Sequence, residues 1–137
     1  MFGYKQHSIR VLVVDEECVV RASLAALVSS WNGFQIIGEA ETKDEALTLF
    51  RLREPDVILV SLAGSEEIDT ELVHELTRAC GGSRVIVLVG QCTEDFVFQL
   101  MQCGVARVLG KCEHPTKLKE AIQDLLQIRP IRARCAK

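Results

Sequence analysis

The stretch Pro55-Asp56-Val57-Ile58-Leu59-Val60-Ser61-Leu62 constrains this chain more than any other. Its middle is an unbroken aliphatic, largely β-branched run, long enough for a strand and too short for a helix of its own. A strand that is apolar on both faces needs cover on both faces. That is the condition of a parallel sheet with helices on either side. In such sheets ligands bind beyond the carboxyl ends of the strands, where the topology switches direction. Ser61 stands at that end of this strand, so its chemistry bears directly on function.

The rest of the chain supplies partners of the same kind. Residues 9–14 read as a first strand that stops at Asp15-Glu16-Glu17. Residues 18–31 carry Val20, Leu24, Leu27 and Val28 at helical spacing, and the acids ahead of them suit a helix N-terminus. Asn32-Gly33 breaks that helix, and residues 34–40 form a second strand. Thr42 with Glu45 predicts a capping box for a helix to Arg53 that buries Ala46, Leu49 and Phe50. Pro55 marks the end of that connection.

After the central strand, a loop at 63–67 leads to a helix over 69–80, with Leu72, Val73 and Leu76 inward and Gly81-Gly82 closing it. Residues 85–89 are another aliphatic strand, ended by Gly90. Thr93 caps a helix to Cys103 with Phe96, Val97, Leu100 and Met101 inward, and Gly104 stops it. Residues 106–109 are a short last strand. Pro115, at the first helical position, opens a final helix with Leu118, Ile122, Leu125 and Leu126 as its stripe.

Five strands alternating with five helices imply one doubly wound α/β domain over residues 9–128, with right-handed crossovers. Residues 1–8 are a polar tail, and residues 129–137 are a basic tail or the start of a linker, with Arg129, Arg132, Arg134 and Lys137. A chain of 137 residues can bury most of its apolar surface without staples. No apolar run reaches the roughly 18 residues that a membrane span needs, and the first residues do not read as a signal peptide. A net charge of -3 gives no footprint for nucleic acid over the body of the domain.

Six cysteines without a Cys-x-x-Cys pair imply a reducing, cytoplasmic setting, several of them at positions fit for a small buried apolar side chain. Cys103, Cys112 and His114 lack a fourth ligand, so zinc is not expected. His7, His74 and His114 read as solvated side chains.

These pieces, in order, resemble the receiver domain of two-component response regulators, above all receivers that precede a helix-turn-helix DNA-binding domain. The residues that carry the likeness are Ile9-Arg10-Val11-Leu12-Val13-Val14-Asp15-Glu16, Gly38-Glu39-Ala40 with Glu45-Ala46-Leu47, and Pro55-Asp56-Val57-Ile58-Leu59-Val60. Arg84-Val85-Ile86-Val87-Leu88, Gly104, Leu109-Gly110-Lys111 and Pro115 complete it. The resemblance implies a flavodoxin-like, five-stranded parallel sheet. It also implies a chemistry: transfer of a phosphoryl group from a histidine kinase to an aspartate, assisted by Mg²⁺.

Carried over position by position, the acidic pair is Asp15 and Glu16 and the lysine is Lys111. The acceptor aspartate falls on Ser61, the switch Ser/Thr on Val89, the aromatic switch residue on Val108, and the Met-Pro-Gly loop on Gly64-Ser65-Glu66. A serine hydroxyl is a weak nucleophile without an adjacent base. Losing one of three carboxylates also weakens a Mg²⁺ site, leaving Asp15, Glu16 and a carbonyl near Ala63. Asp15, Glu16 and Ser61 are therefore expected in a polar network with Lys111, whose ammonium would offset the repulsion of the carboxylates.

The reading that follows is a pseudo-receiver: a non-enzymatic, cytoplasmic signalling module that needs no cofactor and acts by association. Its partner would be a second copy, a histidine kinase or an effector, with a C-terminal DNA-binding output domain as a further possibility. The expected contact face comprises the fourth helix, last strand and fifth helix, with Phe98, Gln102, Val108, Lys117 and Lys119. Phe98 falls off the inward stripe and Phe96 on it. Two alternatives reuse the vacated pocket: a sensor for a small anion or metabolite beside Lys111, or a redox module using Cys92, Cys103 or Cys112.

Overall fold

A computed structural model describes residues 8–62 and 64–128. Strands β1 (Ile9–Val14), β2 (Phe34–Ala40), β3 (Val57–Ser61), β4 (Val85–Val89) and β5 (Arg107–Gly110) form one parallel sheet in the order β2-β1-β3-β4-β5. Helices α1 (Cys18–Ser29), α2 (Lys43–Arg53), α3 (Glu66–Cys80), α4 (Glu94–Gln102) and α5 (Pro115–Ile128) follow the strands in turn. The order reverses between β1 and β3, which makes the crevice at their carboxyl ends the switch point.

The period of two along β3 divides the core. Val57 and Leu59 pack with Ala25 and Val28 of α1 and with Leu118 and Ile122 of α5. Ile58 and Val60 pack with Ala46 of α2, Val73 and Leu76 of α3, and Phe96 and Leu100 of α4. All four β3 positions are fully buried, and burial of an aliphatic side chain of this size contributes roughly 1.5–3 kcal/mol.

The expected caps form. Thr42 Oγ1 accepts from Glu45 N at 3.2 Å and Thr93 Oγ1 from Phe96 N at 3.1 Å. Glu45 Oε1 accepts from Glu41 N at 2.7 Å, so the return arm of the box closes one residue upstream of the cap. Some boundaries differ from expectation: α1 ends at Ser29, α3 begins at Glu66, α4 ends at Gln102, and β5 covers Arg107–Gly110. The early start of α3 places Glu66, Glu67 and Asp69 in its first turn, where the helix dipole favours acids. Met101 was expected inward but is 45% exposed, because Phe96 and Leu100 already define the narrow buried stripe of α4.

Polar contacts tie the amino-terminal edge of the sheet. Asp56 N donates to Arg10 O at 2.8 Å, and Asp56 Oδ2 accepts from Arg10 N at 2.9 Å. Arg84 Nη1 donates to Pro55 O at 3.0 Å and Arg53 Nη1 to Ile37 O at 2.7 Å. The backbone is close-packed there as well: a Cβ on Gly82 would lie 1.9 Å from the carbonyl oxygen of Gly104.

Candidate functional site at the carboxyl edge of the sheet

Asp15 and Glu16 follow β1, Ser61 ends β3, Val89 ends β4, and Lys111 follows β5. The register pairs Val14 with Val60, Ser61 with Leu88, and Val89 with Gly110, so parallel pairing gathers these chain positions at one edge. Asp15 is 3% and Ser61 5% exposed, whereas Glu16 is exposed. Asp15 Oδ1 accepts from Glu17 N at 2.8 Å, and its Oδ2 is buried without a hydrogen-bond partner.

Among the described residues, cavities meet this edge from three sides. One of about 90 Å³ is lined by Asp15, Glu16, Glu41, Lys43, Ser61 and Asp69 among others. A second, of about 180 Å³, is lined by Leu62, Val89, Cys92, Phe96 and Lys111 among others. A third, of about 260 Å³, lies between α1 and α5 and reaches Ser61 and Lys111. Ser61 thus forms part of the wall between the acidic cavity and the α1–α5 cavity.

The expected network of Lys111 with the carboxylates is not formed. Lys111 Nζ donates to Leu62 O at 2.6 Å, and among the described residues it makes no ion pair with Asp15 or Glu16. The carbonyl at the end of β3 draws the ammonium toward the side of β4 and β5, and the lysine lines the two cavities that hold neither acid.

Two other cations stand near the acids, Lys43 in the lining of their cavity and Arg21 on the backbone beside Asp15. Arg21 Nη1 donates to Asp15 O at 2.7 Å and its Nε lies 3.4 Å from Glu39 Oε1. Sequence reasoning missed Arg21. The available signal was its place one turn into the helix after the acidic pair, since helical side chains lean back toward the N-terminus. Asp69 was also missed: it is 4% exposed, and its Oδ2 accepts from Gly64 N at 2.9 Å, holding the loop after β3 against α3.

The family profile of the response regulator receiver domain matches residues 11–123. This chain belongs to that family. It is 32% identical over 121 residues to the response regulator GacA of Pseudomonas aeruginosa, covering 88% of this chain and 55% of the relative. It is 30% identical over 115 residues to the transcriptional regulatory protein LiaR of Bacillus subtilis, covering 84% and 54%. The chain therefore spans about half the length of the curated relatives it matches. A two-component response regulator of the LuxR family from Aurantimonas sp. SI85-9A1 has the same fold, with a TM-score of 0.76 at 22% identity, over 93% of this chain and 91% of that one.

The receiver fold raises the question of a divalent cation beside Asp15. The buried, unpartnered Oδ2 is one suitable hard oxygen, but Glu16 is exposed and Ser61 offers a hydroxyl where a third carboxylate would be required. Among the described residues no group of three acids, histidines or cysteines could hold a metal ion. The donor set does not fit a tight Mg²⁺ site. The carbonyl near Ala63, the tails 1–7 and 129–137, and His7 and Cys135 within them lie outside the described residues.

The remaining candidate residues divide by exposure. Val89 is buried and Val108 half-buried, and neither can hydrogen-bond through its side chain. Phe98 is 64% exposed, Gln102 and Lys117 are exposed, and Lys119 is half-buried. Among the cysteines, the expectation of burial holds for Cys80, whose thiol burial pushes up to about 11, and in part for half-buried Cys103, also pushed up. Cys18, Cys92 and Cys112 are exposed, because they sit at helix starts and loops rather than on inward stripes. Among the described residues no helix is long and apolar enough to cross a membrane.

Proposed function

We propose that this receiver domain is a pseudo-receiver: it signals in a two-component pathway by association and does not take a phosphoryl group on an aspartate. The observation that carries the reading is Ser61, buried at the carboxyl end of β3, where the family resemblance puts the acceptor carboxylate. A hydroxyl there needs a base, and Asp15, a buried carboxylate in the same cavity lining, already accepts from Glu17 N through one oxygen. Val89 and Val108 supply neither the hydroxyl nor the aromatic ring with which the family reads out phosphorylation. Any Mg²⁺ bound by Asp15 and Glu16 would be held weakly.

The working unit is residues 9–128. Its contact face is α4, β5 and α5, where Phe98 and Met101 stand exposed three residues apart on one side of α4, near Gln102. Lys117 and Lys119 belong to α5 and Val108 to β5. An exposed aromatic beside a methionine suits association with a second copy, a histidine kinase or an effector. The length of the relatives makes a C-terminal DNA-binding output domain part of the proposal, and a cytoplasmic location follows from the same reading.

Intact mass after incubation with acetyl phosphate and Mg²⁺ tests this. The natural chain is expected to gain no phosphoryl adduct, while a Ser61→Asp variant tests whether the rest of the edge still works. A stable adduct mapped to Ser61 of the natural chain would overturn the reading.

A further inference from the structure

We propose that the cavity between α1 and α5 binds a small amphipathic anion, an alkyl chain of about eight carbons ending in a carboxylate. The inference goes beyond signalling by association and does not depend on it, because ligand binding and phosphorylation have separate readouts.

Size and lining define the chain. The cavity holds about 260 Å³, and its body is formed by Val20, Leu24, Leu27, Leu88, Leu109 and Leu118. An apolar cavity of about 150 Å³ admits a benzene ring, so this one takes roughly ten non-hydrogen atoms. Octanoate has that number.

The polar rim defines the sign of the headgroup. Lys111 and Lys117 both line the cavity, and the hydroxyls of Ser23 and Ser61 join them. Lys111 Nζ donates one bond to Leu62 O, which leaves two N–H groups for a ligand. Lys117 is exposed and makes no ion pair among the described residues. The opposing group is Glu113, whose Oε2 accepts from Gly110 N at 3.0 Å, and His114 Nδ1 lies 3.0 Å from Thr116 Oγ1. Two ammonium groups against one carboxylate favour an anion.

Ser61 gives the proposal its specific edge. It lines the α1–α5 cavity and the acidic cavity together. An aspartate at that position would set a carboxylate against the ligand's own. The serine presents a neutral hydroxyl instead, so the residue that removes the acceptor also makes room for an anion.

Methyl-resolved NMR titration of the whole chain with octanoate tests this, with octanol and octylamine as probes of the headgroup. Saturable shifts are expected at Leu24, Leu27, Leu109 and Leu118. Octanol should bind about tenfold more weakly, the loss of one charge-assisted hydrogen bond, and octylamine more weakly still. Leu24→Trp, which fills the cavity, should abolish the shifts, and Ser61→Asp should weaken binding about tenfold. Should Leu24→Trp not fold, the exposed-residue double variant Lys111→Met/Lys117→Met should bring octanoate down to the affinity of octanol. The proposal is overturned by an absence of saturable shifts, by octanol or octylamine binding as tightly as octanoate, or by shifts confined to the Phe98 and Met101 surface. Concentration-dependent shifts of the same methyls without ligand would place a second copy on the cavity and overturn it equally.

Discussion

At the amino-terminal edge of the sheet, Asp56 is 4% exposed and its carboxylate accepts from the backbone of Arg10. At the carboxyl-terminal edge, Asp15 is 3% exposed and one of its oxygens has no partner. The same residue type, buried to the same degree, is used in opposite ways. Around Asp56 the arginines close on backbone carbonyls and Gly82 presses on Gly104. Around Asp15 and Ser61 lie cavities. A buried polar atom without a partner costs stability and occurs at both edges, Arg10 Nε at the first and Asp15 Oδ2 at the second, so it is the cavities around Asp15 and Ser61 that mark the edge open for chemistry or ligands.

The contrast can be broken from its rigid side first. Gly82→Ala should cost about 3 kcal/mol, because the new Cβ meets backbone that no side-chain rotation can clear. Urea denaturation measures it, and a loss near zero would mean that the amino-terminal edge yields easily. Asp56→Ala should cost about 1 kcal/mol by leaving the part-buried N–H of Arg10 without its acceptor, read by the same urea denaturation.

Asp15→Asn sharpens the comparison from the other side. The amide keeps an acceptor for Glu17 N and removes a buried charge beside Glu16, so stability should rise by about 1 kcal/mol. A loss as large as that of Asp56→Ala would show that the two edges are built alike.

The fold was legible in the sequence to within a few residues at the ends of elements. Caps that depend on residues three apart, such as Thr42 with Glu45 and Thr93 with Phe96, are local and were read correctly. So was the exposure of Phe98, which follows from helical period alone. The site was legible as a set of positions: Asp15, Glu16, Ser61, Val89 and Lys111 do arrive at one edge. Their mutual arrangement was not. Lys111 was expected to face the acids and faces Leu62 O, while Arg21 takes the place beside Asp15.

By itself, then, the sequence determined the sheet, its two covering layers and the edge at which polar residues collect. These depend on runs and periods that a few neighbouring residues define, and on burial terms that do not depend on direction. The tertiary structure alone decided which cation meets which oxygen, that Asp15 keeps an unpartnered atom, and that Ser61 stands between two cavities. The bond from Lys111 to Leu62 joins positions 49 residues apart, and hydrogen bonds and ion pairs are directional and short-ranged. Their partners are chosen only after the strands have brought the loops together.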